Sequence, residues 1–191
     1  NRLIPVVFVI LFFSINYYPN YIYPKSDQTV QTAFGIIQQQ IEKRFNTKSE
    51  QVYSLSERQF VEKALKIVPE EALIINQPND GSAFAYGINN ANTYYRLISL
   101  LNETADSITI RTKLSSYSTD KAVQQSVSNI NAKYVLLLDK NKKWESMPKA
   151  ANSPDAQPEN WIGIDSIDDS TPGFKVVLAE DDMRLYEIEP L

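Results

Sequence analysis

Ala72-Leu73-Ile74-Ile75-Asn76-Gln77-Pro78-Asn79-Asp80-Gly81-Ser82-Ala83-Phe84-Ala85-Tyr86 is the stretch on which the fold turns. An apolar run, Ala72 to Ile75, empties through a Pro/Asn/Asp/Gly turn into a short helix-like segment. A strand that ends this way marks the place where α/β proteins put ligands, outside the carboxyl ends of their strands. The run is apolar at successive positions, which predicts a central strand covered on both faces.

Upstream, Ser54-Leu55-Ser56-Glu57 is a capping box. The serine oxygen takes a free N–H of the first turn, and the glutamate reaches back. The helix it opens buries Phe60, Val61, Ala64, Leu65 and Val68, and Pro69 stops it. Downstream, Ser82 to Gly87 is a helical turn, and Thr93-Tyr94-Tyr95 is a candidate second strand. Residues 97–117 admit strand or helix, but Ile108, Arg111 and Leu114 step in threes and favour helix. Ser118-Thr119-Asp120 caps a helix to about Asn131, with Ala122, Val123, Val127 and Ile130 inward. Lys133 to Asp139 carries the strongest strand signal in the chain. After a long polar loop, 141–158, two strands, 174–179 and 184–188, are joined by the hairpin turn Glu180-Asp181-Asp182-Met183. Helices before and between strands, with a closing hairpin, predict an α/β sandwich with a mixed sheet over residues 51–191.

The N-terminal part has a different character. Residues 3–15, from Leu3 to Ile15, carry no charge, and Asn16 to Pro24 is a tyrosine cluster of the kind found at a membrane–water interface. The expectation for residues 1–24 is the outer end of a transmembrane helix, cut at its cytoplasmic side near Arg2. This apolar core is shorter than the roughly 20 residues of a full span. A signal-peptide core is the rival, opposed by the lack of a small-x-small cleavage site after it. A hydrophobic strand or helix buried in a soluble domain is the other. Residues 25–50 form a juxtamembrane helix and linker, capped by Ser26-Asp27, with Val30, Phe34, Ile37, Ile41 and Phe45 on one stripe. That stripe either packs on the domain or forms a short dimer seam.

Composition narrows the function classes. The 191 residues contain no cysteine and no histidine, which excludes thiol nucleophiles, disulfides, thiolate zinc sites and every Ser-His or Cys-His arrangement. A net charge of −4 without a basic run argues against nucleic acid. No glycine-rich phosphate fingerprint occurs, and no cofactor is expected.

The candidate ligand site is the polar loop with its flanking aromatics: Asn76, Asn79, Asp80, Gly81, Ser82, Tyr86 and Tyr94. Asp80 can cap the following helix, and Gly81 permits a backbone angle that other residues resist. Asn79 and Ser82 leave polar groups near a helix N-terminus, and the tyrosines offer ring faces to sugars. The alternative is a structural turn with a good cap. Asp165, Asp168 and Asp169 are weak candidates for calcium, without the glycine and terminal glutamate of an EF-hand loop. Trp144 and Trp161 flank the proline-rich loop, to stack on a sugar, dip toward a bilayer or pack in the core.

Leu55 to Val61, Val68 to Asn76, Pro78 to Tyr86 and Ala132 to Leu136 together carry a family pattern. The chain resembles the C-terminal extracytoplasmic domain of an uncharacterised family of large polytopic membrane proteins from Gram-positive bacteria, of actinobacterial type. Those proteins in turn resemble C-type, lipid-sugar-dependent glycosyltransferases. The Asn-x-Pro-x-Asp-Gly-Ser stretch is the most specific part; the family often reads Asn-Pro directly, and here Gln77 intervenes. The resemblance implies a cell-membrane protein whose catalytic carboxylate lies in an early loop that this chain lacks. The domain would then be non-catalytic, placed outside the membrane, and concerned with cell-envelope glycan assembly. Its partners would be the membrane, the membrane-embedded part of the same protein, and a glycan or lipid-linked sugar. A membrane-anchored sensor for a small polar or sugar ligand is the alternative, and a carboxylate-based hydrolase is a weaker third.

Overall fold

The computed structural model describes residues 3–17, 21–22, 29–30, 32–45, 52–139 and 153–190. They fall into two units, 1–49 and 50–191.

The larger unit is built on a four-stranded sheet of β3 (Leu73–Asn76), β4 (Ala132–Leu137), β5 (Phe174–Glu180) and β6 (Met183–Ile188), in the order β3-β4-β6-β5. β3 and β4 are parallel, and the other pairs are antiparallel, so the sheet is mixed. Alternate side chains leave on opposite faces. Ile75, Val135, Leu137 and Tyr186 enter one cluster with Ile110 and Leu114, Val123 and Val127, and Trp161 and Ile164. Ile74, Leu136, Leu138 and Leu185 enter the other with Phe60, Val61, Ala64 and Ala85. Helices α3 (Leu55–Ala64) and α4 (Ala83–Asn89) therefore cover one face. Helices α5 (Ala105–Lys113), α6 (Lys121–Ile130) and α7 (Ile162–Asp165) cover the other. Each fully buried Ile or Leu in these layers contributes roughly 1.5–3 kcal/mol. This is the α/β sandwich with a mixed sheet and C-terminal hairpin expected from the sequence.

Most local signals act where they were read. The Ser54–Glu57 capping box is formed, Asp120 caps α6 through the N–H of Ala122 at 2.8 Å, and the hairpin turns at Asp181 with φ 47°. The ambiguous stretch resolves to helix, capped by Thr104 on the N–H of Ser107. Gly163 lets α7 lie against the end of α5; a Cβ there would stand 2.1 Å from the backbone nitrogen of Lys113.

Several expectations are corrected. β3 is not central but lies at one edge of the sheet. Its apolar character on both faces still has a cause, because segment 91–95 covers the open edge: the N–H of Ile74 donates to Asn92 O, and the N–H of Tyr94 donates to Ile74 O, each at 2.9 Å. Thr93 to Tyr95 is thus a single parallel bridge to Ile74 and not a strand. The α-helical part of α3 ends at Ala64, ahead of Pro69, and Ala122 is exposed on α6.

In the first unit, α1 (Leu3–Tyr17) is a 15-residue helix. The short strands β1 (Tyr21–Ile22) and β2 (Thr29–Val30) pair antiparallel, and α2 is Ala33–Phe45. The α2 start differs from the expected one: Val30 belongs to β2, and the side-chain oxygen of Thr32 accepts the N–H of Gly35 at 2.9 Å, as a cap does. Ser26 and Asp27 lie outside the described residues. Phe34, Ile37 and Ile41 are exposed to 44%, 57% and 51%. No helix among the described residues is long and apolar enough to cross a membrane. Val6 to Phe13 are not core residues either, since each is at least 46% exposed.

Candidate functional site

The turn after β3 lies where the strand–turn–helix reading puts a ligand, but its polar groups are spent on the protein itself. Asn76, at the end of β3, uses its amide as a substitute peptide unit. Its Oδ1 accepts the N–H of Tyr95 at 2.9 Å, and its Nδ2 donates to Tyr95 O at 2.8 Å. The side chain thus extends the edge pairing from Ile74 to the last residue of the strand. The same Nδ2 reaches Ser82 Oγ at 3.0 Å, and that hydroxyl donates to Gln77 O at 2.7 Å. Asn76 and Ser82 are fully buried.

Asp80 does not cap α4. Its Oδ1 accepts the N–H of Ser82, one residue before the helix, at 2.8 Å, and its Oδ2 accepts the N–H of Leu138, beyond β4, at 2.7 Å. Burial pushes its carboxyl up to about 8, against the pull of these two amide donors. Gly81 has φ 91° and sits under segment 52–53; a Cβ there would fall 1.8 Å from Val52 O. Both the angle and the contact require glycine.

Gln77 is the residue sequence reasoning passed over. Its Oε1 accepts the N–H of Asn79 at 2.7 Å, and its Nε2 donates to Asp165 Oδ1 at 2.8 Å, joining the turn to the end of α7. Burial raises the Asp165 carboxyl to about 6 even though the residue is exposed overall. Nothing local signals this pairing, because the two residues stand 88 positions apart.

Of the candidate ligand residues, Asn79 alone keeps both polar side-chain atoms buried without a hydrogen-bond partner among the described residues. Tyr86 is 46% exposed and lies under the Arg96 guanidinium, 4.0 Å from its ring centroid. Tyr94 and Arg96 help line a shallow groove of about 410 Å³ with Leu73, Leu97 and Leu101. Asn79, Asp80 and Ser82 are not among its walls. Arg96 thus touches Tyr86 and shares the groove with Tyr94, while Asn76 reaches the same segment through Tyr95.

The acidic segment is engaged in local ties. Asp168 Oδ1 accepts from the N–H and hydroxyl of Ser170. Asp169 accepts from Arg184 Nε at 3.1 Å and the Tyr186 hydroxyl at 2.7 Å. Among the described residues, no three acidic side chains converge as a metal site requires. Trp161 belongs to the core, its Nε1–H donating to Asp155 O at 2.8 Å and its ring meeting the Tyr95 edge; Trp144 lies outside the described residues.

The model of a family of unknown function, DUF6541, matches residues 3–190. The chain belongs to DUF6541. No curated protein and no solved structure matches it. The match takes in both units of this DUF6541 chain, so the apolar N-terminal helix and the α/β sandwich are parts of one family pattern.

Proposed function

We propose that this DUF6541 chain is a non-catalytic domain held at a membrane by its apolar N-terminal helix. The folded unit stands on the extracytoplasmic side, within a polytopic protein that resembles a glycosyltransferase and serves cell-envelope glycan assembly. The observation that carries the reading is α1 itself. It has no charged residue, and its large apolar side chains from Leu3 to Phe13 are 46–75% exposed around its whole circumference. A helix that is apolar all round belongs in a core or in a bilayer. At about 1.5 Å per residue its 15 residues reach roughly 22 Å, short of a hydrocarbon core of about 30 Å. The proposal therefore concerns lodging in the apolar phase, with the tyrosines that follow at the interface.

The non-catalytic part of the reading is supported by the turn after β3, whose carboxylate and hydroxyl are committed to holding chain segments together. A membrane-anchored domain for a small polar or sugar ligand is the second reading. The groove beside Tyr94 favours it, since it offers an aromatic ring and the Arg96 cation.

These 191 residues hold no cysteine, so within them an introduced thiol is the single reactive site, and the same protein without it is the labelling control. Lys121→Cys, exposed at the start of α6, is expected to react with a membrane-impermeant maleimide in intact cells. Labelling only after lysis contradicts the extracytoplasmic placement. Unchanged envelope glycans in cells depleted of the protein contradict the glycan assignment.

A further inference from the structure

We propose that α2 lies along the membrane surface and sinks the stripe Phe34, Ile37 and Ile41 among lipid headgroups and upper acyl chains. The inference rests on the reading of α1 as membrane-embedded and extends it to a second element. The three side chains recur at the third and seventh positions after Phe34, so they share one helix face, and all are about half exposed. Gln39 stands about 200° round the helix from Ile37 and marks the polar side.

Chain geometry selects lipid as the occupant. Tyr21 pairs with Val30 across β1 and β2, a separation of about 5 Å. Only two residues separate Val30 from Ala33, so α2 begins within roughly 16 Å of Tyr21. Tyr21 belongs to the tyrosine-rich sequence from Tyr17 to Tyr23, which the membrane reading of α1 assigns to the interface. α1 and α2 also pack on each other. A helix that starts at this level with an apolar stripe is placed to bury it about 5–10 Å deep.

The test uses the full chain in vesicles of phosphatidylglycerol and phosphatidylethanolamine that carry doxyl quenchers at shallow or deep acyl positions. Three single-cysteine variants, Ile10→Cys, Ile37→Cys and Gln39→Cys, carry an environment-sensitive fluorophore. The expected result is shallow quenching at position 37 at least about three-fold stronger than at position 39, with position 10 quenched by the deep probe. Equal, weak quenching at 37 and 39 while position 10 is quenched overturns the proposal and leaves the α1 reading standing. An unquenched position 10 with a quenched 37 removes the α1 reading and keeps α2 on the lipid. A disulfide-linked dimer of unlabelled Ile37→Cys under mild oxidation, with weak lipid quenching of the labelled variant, also overturns it, assigning the stripe to a second copy.

Discussion

The Asp80 carboxyl group accepts the backbone N–H of Leu138 at 2.7 Å across 58 positions of sequence, and so fastens the turn after β3 to the end of β4. Its pKa is raised from 3.8 to about 8, mainly by burial. The folded state therefore holds this proton more tightly than the unfolded one. The corresponding stability is fully present below about pH 4, declines as the pH rises, and is lost above about 8. Asp165, raised to about 6, adds a decline of the same sign that ends sooner. Thermal unfolding is expected to give a lower Tm at pH 8 than at pH 5. Asp80→Asn turns an NH2 group toward one of two N–H donors and should cost about 1–3 kcal/mol at pH 5. It should also flatten the pH dependence above about 7, where Asp165 has lost most of its proton.

Two glycines six positions apart should respond oppositely to alanine. Gly81→Ala meets both a φ of 91° and the Val52 carbonyl, so a loss of about 3 kcal/mol or more is expected, readable as a collapse of the urea midpoint. Gly87 lies within α4 with open space where its Cβ would go. Gly87→Ala should stabilise by about 0.5–1 kcal/mol, the ordinary helix preference.

Asn76 splices segment 91–95 to the sheet with both ends of one amide. Asn76→Ala leaves the N–H of Tyr95 and the Ser82 hydroxyl short of a partner, at an expected cost of about 2–4 kcal/mol. Hydrogen exchange is the discriminating measurement: the Tyr95 amide should lose protection far more than the amides of β4.

Arg111 and Glu103 form an ion pair of 2.9 Å with side chains 10% and 8% exposed, and Arg111 also donates to Asn160 O. Arg111→Met strands a carboxylate whose side chain is almost wholly enclosed and should cost about 3–5 kcal/mol. Adding Glu103→Gln removes the stranded charge and should recover part of that loss in chemical denaturation.

The layers of the fold were legible because their signals are local. The Ser54–Glu57 box, the Asp120 cap and the apolar core of β4 each depend on a few adjacent residues. Strand order was not legible. An apolar strand covered by an irregular segment at its edge looks the same in sequence as a central one, so the sequence reads β3 as central. What the polar turn bonds to was not legible for a related reason. Asn76, Asp80 and Ser82 are polar residues in a turn, and sequence alone does not say whether their partners are ligands or distant backbone groups such as Tyr95 and Leu138. Gln77, which looks like an intrusion in the motif, holds the turn to α7 through a contact that only the folded chain creates.

The central claim, that α1 lodges in a membrane, is tested most directly by flotation of the full chain with lipid vesicles in a density gradient at high salt. The account predicts that the chain rises with the vesicles and that a Val7→Arg/Ile10→Arg double variant, folded by circular dichroism, stays at the bottom. A wild-type chain that remains folded and unbound at the bottom would contradict it.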